Sequence, residues 1–158
     1  MKISTRIADA ADTDEIIALW KRFIEECENT GYEEVEQSWA ERLRTQIASS
    51  KVIVAANDGS LIGFVGFIDH ADQDWVPEHI AYVVDIYVAP EARPSTAAKS
   101  LFAAVSGLLK CSYSETWTNT HVENTRMQVL LKRAGFRRLD GFEIAGLQDQ
   151  LYYIMDNN

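Results

Sequence analysis

The sequence predicts an α/β fold, with a mixed, mostly antiparallel central sheet of about seven strands flanked by four helices in the order βααβββαβαββ. Three observations carry that expectation. Ile80, Tyr82, Val84, Ile86 and Val88 alternate with the opposite face at the period of a strand, and the chain then turns at Pro90 into a segment of small and hydroxyl residues that opens a helix. Val35, Trp39, Leu43 and Ile47 recur every four residues, as a core-facing helical stripe does. Asn57-Asp58-Gly59-Ser60 separates two β-rich runs, and its Asp-Gly supplies the positive φ angles of a tight hairpin.

Taken in order, Ile3 to Ile7 reads as a short strand. Asp12-Thr-Asp-Glu15 then has the spacing of a capping box for a helix that presents Ile16, Trp20, Phe23 and Cys27 on one face. Gly31 ends that helix, and the second follows. Lys51 to Ala56 and Leu61 to Asp69 are antiparallel neighbours across the Asp-Gly turn. His70 to Glu78 is a polar, acidic connection into the strand that begins near Ile80. After the third helix, with Leu101, Phe102, Val105, Leu108 and Leu109, a strand covers Ser114 to Thr118. The last helix starts near Asn124, buries Met127, Leu130, Leu131 and Ala134, and stops at Gly135, a residue suited to a left-handed cap. Strands at about Phe136 to Ile144 and at Gln150 to Met155 complete the order.

A chain of 158 residues with 47% apolar residues fits one domain over 1–158, with no repeat, linker or low-complexity segment. The formal net charge of −9 argues against nucleic acid, whose phosphates need a basic face, and favours a cationic small molecule or a basic peptide. Cys27 and Cys111 show no metal-ligand spacing, so no metal is expected and both read as thiols of a reduced compartment. The opening Met-Lys-Ile-Ser-Thr-Arg has no signal-like apolar run, and no stretch approaches a membrane span of roughly 20 apolar residues, so a cytoplasmic location and no membrane partner are expected. Trp75 and the closing strands are candidate surfaces for a homodimer.

The run from Tyr82 to Leu101 resembles the cofactor motif of the GNAT (general N-acetyltransferase) superfamily, Val-x-Pro-x-x-Arg/Gln-x-x-Gly-x-Gly/Ala, which wraps the pyrophosphate of acetyl-CoA. Val88, Pro90, Arg93 and Ala98 match, and Thr96 stands at the first glycine. Asn124, Leu130, Gly135 and Phe136 match a second segment, the family's Asn-x-x-Ala-x-x-Leu-Tyr-x-x-x-Gly-Phe helix, with Met127 at the small position and Leu131 at the tyrosine. The element order is the family's throughout.

That resemblance implies an acetyl-CoA-dependent N-acetyltransferase acting by direct attack of an amine in a ternary complex, with a small amine or a protein amine as acceptor. Backbone N–H groups from Arg93 through Ser95, Thr96 and Ala97 to Ala98 would surround the pyrophosphate, aided by the helix dipole, with Pro94 contributing no N–H. Thr96 either fits because its backbone angles are ordinary or obstructs the phosphate. The plain alternative is a strand-to-helix turn capped by Ser95 or Thr96 that binds nothing. The family's bulged strand implies free main-chain groups on Ile86, Tyr87 and Val88 for the pantetheine and the reacting carbonyl. Asp85, in Val-Asp-Ile-Tyr-Val, is the candidate base, with a structural ion pair to an arginine as its other reading. Asn124 is a helix N-cap and, by resemblance, a contact to the pantetheine or the substrate. Glu78, His79, Asp69 and His70 border the expected amine entrance or form a solvated loop. Thr96 and Leu131 together favour an alternative, a catalytically silent acyl-CoA-binding or protein-interaction module; Tyr87, Tyr113 and His121 are candidate substitutes for the missing tyrosine acid, and each also reads as a core or surface residue.

Overall fold

The computed structural model describes residues 2–26, 32–141 and 149–157, with the side chains of 32–36 excepted. Its elements are β1 (Ile3–Ile7), α1 (Thr13–Glu26), α2 (Tyr32–Ala48), β2 (Val52–Asn57), β3 (Ser60–Ile68), β4 (Ile80–Val88), α3 (Ala97–Leu109), β5 (Glu115–His121), α4 (Thr125–Arg133), β6 (Arg137–Leu139) and β7 (Gln150–Asp156). This is the α/β order the sequence predicts. The seven strands form one sheet in the order β1-β2-β3-β4-β5-β7-β6. The pairs β1–β2, β2–β3, β5–β7 and β6–β7 are antiparallel, and β4–β5 is parallel, so the sheet is mixed.

Contacts divide the chain into two compact units, Met1–Gly66 with Asp85–Ala104, and Phe67–Val84 with Val105–Asn158. In the first, α1 and α2 cover the sheet with an apolar face. Ile16, Leu19, Trp20, Trp39, Leu43 and Ile47 are buried among residues of β2 and β3. Trp20 stacks on Trp39 with ring centroids 4.3 Å apart and planes 11° from parallel. Phe23, expected on the same stripe, is 38% exposed and lies against Tyr87 instead. Cys27, Gly31 and the side chain of Val35 lie outside the described residues. The Asp-Gly hairpin has the predicted backbone, with Asp58 at φ 50 and Gly59 at φ 87.

The capping box sits three residues earlier than its sequence signature. Asp9 accepts the Ala11 N–H, and Asp12 returns a bond to the Asp9 N–H, around a 3-10 turn at Ala10–Asp12 that precedes α1. Asp12 is thereby committed to the turn and to a bidentate pair with Arg6 at 2.6 and 2.8 Å. Glu15 is released to accept the Leu61 N–H at 3.2 Å.

In the second unit, β5, β6 and β7 pair around Tyr152, Tyr153 and Ile154, which are buried. α4 ends as predicted at Gly135, φ 100, in a Schellman motif in which Phe136 N–H reaches the Leu131 carbonyl and Gly135 N–H that of Lys132. Leu131 is the fully buried residue of that helix, while Met127, Leu130 and Ala134 are half-buried, because α4 presents only one narrow stripe to the sheet. Cys111 is exposed. The predicted Phe136 to Ile144 strand is shorter, running over Arg137–Leu139, because the chain turns at Asp140 and Gly141, the latter at φ 76; positions 142–144 lie outside the described residues.

Candidate active site

The segment from β3 to the start of α3 is built around a bulge and a glycine. β2 and β3 pair Ala55 with Gly63 and Ala56 with Leu61, so Ile62 is the extra residue on β3. The bulge aims the Ile62 carbonyl at the Ala89 N–H, 2.8 Å away, where the chain leaves β4. Beside it, Gly63 lets β3 approach β4 closely. A Cβ at that position would stand 2.7 Å from the Tyr87 carbonyl oxygen and 3.3 Å from both Leu101 and Val88 side chains.

Beyond β4 the chain makes a 3-10 turn at Pro90–Ala92 that closes on itself. Ala92 and Arg93 donate to the Ala89 and Pro90 carbonyls, and Ser95 N–H donates to Ala92. The Ser95 hydroxyl accepts the Ala97 N–H at 3.2 Å, which caps α3. Among the described residues no internal acceptor meets the N–H groups of Thr96, Ala98 or Lys99, so three donors at the positive end of the α3 dipole are open to an anion. Thr96 is absent from the positive-φ residues, so its backbone is one that any residue adopts. Lys99 is an addition to the positions singled out in the sequence.

The opposite edge of β4 carries the other candidate groups. Its parallel pairing with β5 runs from Ile80 to Val83 and stops there, which leaves no β5 partner for Ile86, Tyr87 and Val88 among the described residues. Asp85 lies in the same stretch, with its side chain 21% exposed. Its Oδ2 accepts from Arg42 Nη2 at 2.7 Å and from Trp39 Nε1 at 3.4 Å. No donor among the described residues meets Oδ1. Burial raises the Asp85 pKa above the ordinary carboxylate value, and the Arg42 charge and the two hydrogen bonds offset that only in part. Arg42 and Trp39 are three residues apart on one face of α2, so the helix that packs the core also delivers both donors. The sequence reading missed them, although a guanidinium three residues after a stripe tryptophan is the signal that points to this pair.

A third group joins α1 to this segment. Glu26 Oε1 accepts from the Tyr87 hydroxyl and Oε2 from Arg93 Nη2, both at 2.5 Å. Arg93 also donates from Nε to the Val88 carbonyl at 3.0 Å and lies over the Tyr87 ring. Arg22 donates to both carboxylate oxygens of Glu91. Burial and the Glu26 carboxylate push the Tyr87 phenol up to about 12.

In the second unit, Asn124 Oδ1 accepts the Met127 N–H at 3.1 Å and is the N-cap of α4. Asn124→Ala is expected to cost about 1 kcal/mol of stability and Asn124→Ser much less, measured by urea unfolding. Tyr113 donates its hydroxyl to Asp69, which also caps the turn at Ala71, and burial raises the Tyr113 pKa. His70 contacts the Val76 carbonyl through Nδ1, and His79 sits 3.8 Å from Glu115. Asp69 and His70 are thus engaged within the loop, whereas His79 faces β5. Trp75 is 54% exposed and packs edge-on against Tyr82. No group of three His, Cys, Asp or Glu among the described residues is placed to hold a metal ion, and no described helix is long and apolar enough to cross a membrane.

Solved acetyltransferases share this fold. An acetyltransferase of the GNAT family from Staphylococcus aureus superposes with a TM-score of 0.81 at 15% identity, over 99% of this chain and 100% of its own. The PaiA N-acetyltransferase of Thermoplasma acidophilum, in complex with coenzyme A, gives 0.74 at 20% identity over 99% of each chain. YncA of Salmonella typhimurium, with its cofactor acetyl-CoA, gives 0.78 at 15% identity over 99% of this chain and 94% of its own. No curated protein sequence matches the chain. The fold is therefore the one these acetyltransferases share. The model of the acetyltransferase (GNAT) family matches residues 13–136, and the chain belongs to that family.

Proposed function

We propose that this acetyltransferase uses acetyl-CoA as donor and transfers the acetyl group to a primary amine by direct attack in a ternary complex. The observation that carries this assignment is the single segment in which Asp85, the unpaired edge of Ile86, Tyr87 and Val88, and the three open N–H groups of Thr96, Ala98 and Lys99 follow one another. A pyrophosphate fits those N–H groups by charge and by their lack of an internal acceptor among the described residues. When bound, acetyl-CoA supplies the thioester carbon that the amine attacks. Main-chain groups of Ile86 to Val88 that face away from β3 would hold the pantetheine arm and polarise the carbonyl. Asp85 takes the proton of the acceptor amine at Oδ1, while Arg42 and Trp39 fix the carboxylate through Oδ2. By the family motif it matches, Asn124 would contact the pantetheine or the substrate. The acceptor is a small amine or a protein amine, and the net charge of −9 favours a cationic one.

The proton for the leaving thiol would come from water; His121, the third substitute read from the sequence, is exposed and accepts the Glu123 N–H at Nδ1. Leu131 is buried and has no proton to give, and the hydroxyls of Tyr87 and Tyr113 are both committed to carboxylates. That same observation favours the second reading, a module that binds acyl-CoA without turnover. Calorimetric titration with acetyl-CoA, CoA and desulfo-CoA tests the first step. Micromolar binding is expected, and silence up to millimolar ligand would remove the cofactor assignment. Because Thr96 has an ordinary backbone, Thr96→Gly is expected to leave affinity unchanged or to weaken it, through added flexibility at the start of α3. A gain in affinity would mean that the threonine side chain blocks the phosphate. Binding with no transfer to any amine in a broad panel would favour the silent module.

A further inference from the structure

Glu26 is the last described residue of α1, and its two side-chain partners lie 61 and 67 positions away. Desolvation pushes its pKa up, but the hydrogen bonds from Tyr87 and Arg93 outweigh that, so the carboxylate is held ionised below its ordinary range.

Those two partners flank the point where β4 becomes the anion loop. Tyr87 is the penultimate residue of β4. Arg93 follows the 3-10 turn, and its Nε holds the carbonyl of Val88, the last strand residue. One carboxylate thus spans the bend from both sides. Two further residues of the same helical turn reach the same segment: Arg22 pairs with Glu91, and the Phe23 ring lies 5.6 Å from that of Tyr87. Arg93 is turned toward the bend and Glu26, so what it contributes to an anion is the shape of the loop.

Resting on acetyl-CoA binding as proposed above, we propose that Glu26 is a positioning residue that clamps Tyr87 and Arg93 and so presets the pyrophosphate loop for the cofactor. It touches neither donor nor acceptor. Its effect falls on cofactor affinity, since a loop that must be ordered on binding costs affinity that a preset loop keeps.

Acetyl-CoA affinity of the whole chain is measured by calorimetry for wild type, Glu26→Gln and Glu26→Ala, with thermal unfolding in parallel. Glu26→Gln keeps an acceptor for one partner and loses the charge, whereas Glu26→Ala loses both bonds. The expected dissociation constants rise about threefold for Glu26→Gln and about tenfold or more for Glu26→Ala, one to two charge-assisted hydrogen bonds being removed. Partial rescue by glutamine is the mark of positioning. If Glu26→Ala does not fold, the near-isosteric Glu26→Gln decides. Unchanged affinity in a folded variant, even with a lowered melting temperature, would reduce Glu26 to a structural role. Tighter binding would also overturn the clamp, by showing that Glu26 masks Arg93 from the phosphates. If wild type itself does not bind acetyl-CoA, the donor assignment falls and the clamp falls with it, an outcome distinct from wild-type binding with indifferent variants.

Discussion

Asp85→Asn lowers turnover about 100-fold or more and leaves acetyl-CoA affinity within about twofold, the expected result of removing a general base that does not touch the donor. The substitution is nearly isosteric, and the amide oxygen still accepts from Arg42 and Trp39, so the orientation of the group survives while its basicity is lost. The pH dependence gives a second readout. Burial holds the Asp85 pKa above its unfolded value, so the folded state binds its proton more tightly than the unfolded chain does. Its contribution to stability is therefore fully present below the ordinary carboxylate pKa of about 3.9 and is lost as pH rises through the raised folded value. The difference in melting temperature between Asp85→Asn and wild type is expected to shift in favour of the variant over that window. Arg42 opposes the rise in pKa, so Arg42→Gln should move the acid limb of the pH–rate profile to higher pH. Full turnover in Asp85→Asn would return Asp85 to the other sequence reading, a structural pair with Arg42.

The largest effect on stability is expected at Gly63. The Cβ of Gly63→Ala would lie 2.7 Å from the Tyr87 carbonyl oxygen, a main-chain atom that no rotamer change can move. Either β3 and β4 separate locally or the Tyr87 peptide rotates, and overpacking of this kind costs about 1–3 kcal/mol. In a domain of this size each kcal/mol lowers the melting temperature by roughly 2–4 °C. Because Tyr87 and Val88 lie beside the anion loop, acetyl-CoA affinity should fall together with stability. Gly107→Ala is the control: nothing lies within 4 Å of its Cβ, and a helical alanine is expected to be neutral or stabilising. Equal melting temperatures for both variants would show that the strand pair at Gly63 yields without cost.

Much of this architecture was legible from local pattern. The Asp58-Gly59 turn, the alternation from Ile80 to Val88 and the glycine at position 135 each express a backbone preference that the residue carries with it, and the structure repeats them. The N-cap role of Asn124 was legible for the same reason, being a bond across three residues. Where the reading slipped, two local signals competed. Asp12 and Glu15 have the spacing of a capping box, but Asp9 and Asp12 have it too, and Arg6 on β1 adds a bidentate pair that holds Asp12 in the earlier turn.

The sequence by itself determined the order of strands and helices, the hairpin and helix stops, and the place along the chain where β4 turns into α3. These depend on torsion angles and on periodicities within a few residues, and no distant partner is needed to set them. The tertiary structure alone decided which groups meet there. That Arg42 and Trp39 take one oxygen of Asp85, that Glu26 holds Tyr87 and Arg93, and that Ile62 and Gly63 bring β3 against the bend are contacts across 24 to 67 positions of sequence. A residue's charge or size names what it can bond, whereas the partner it finds depends on the packing of whole helices on the sheet, through an apolar stripe indifferent to the polar groups it carries into place.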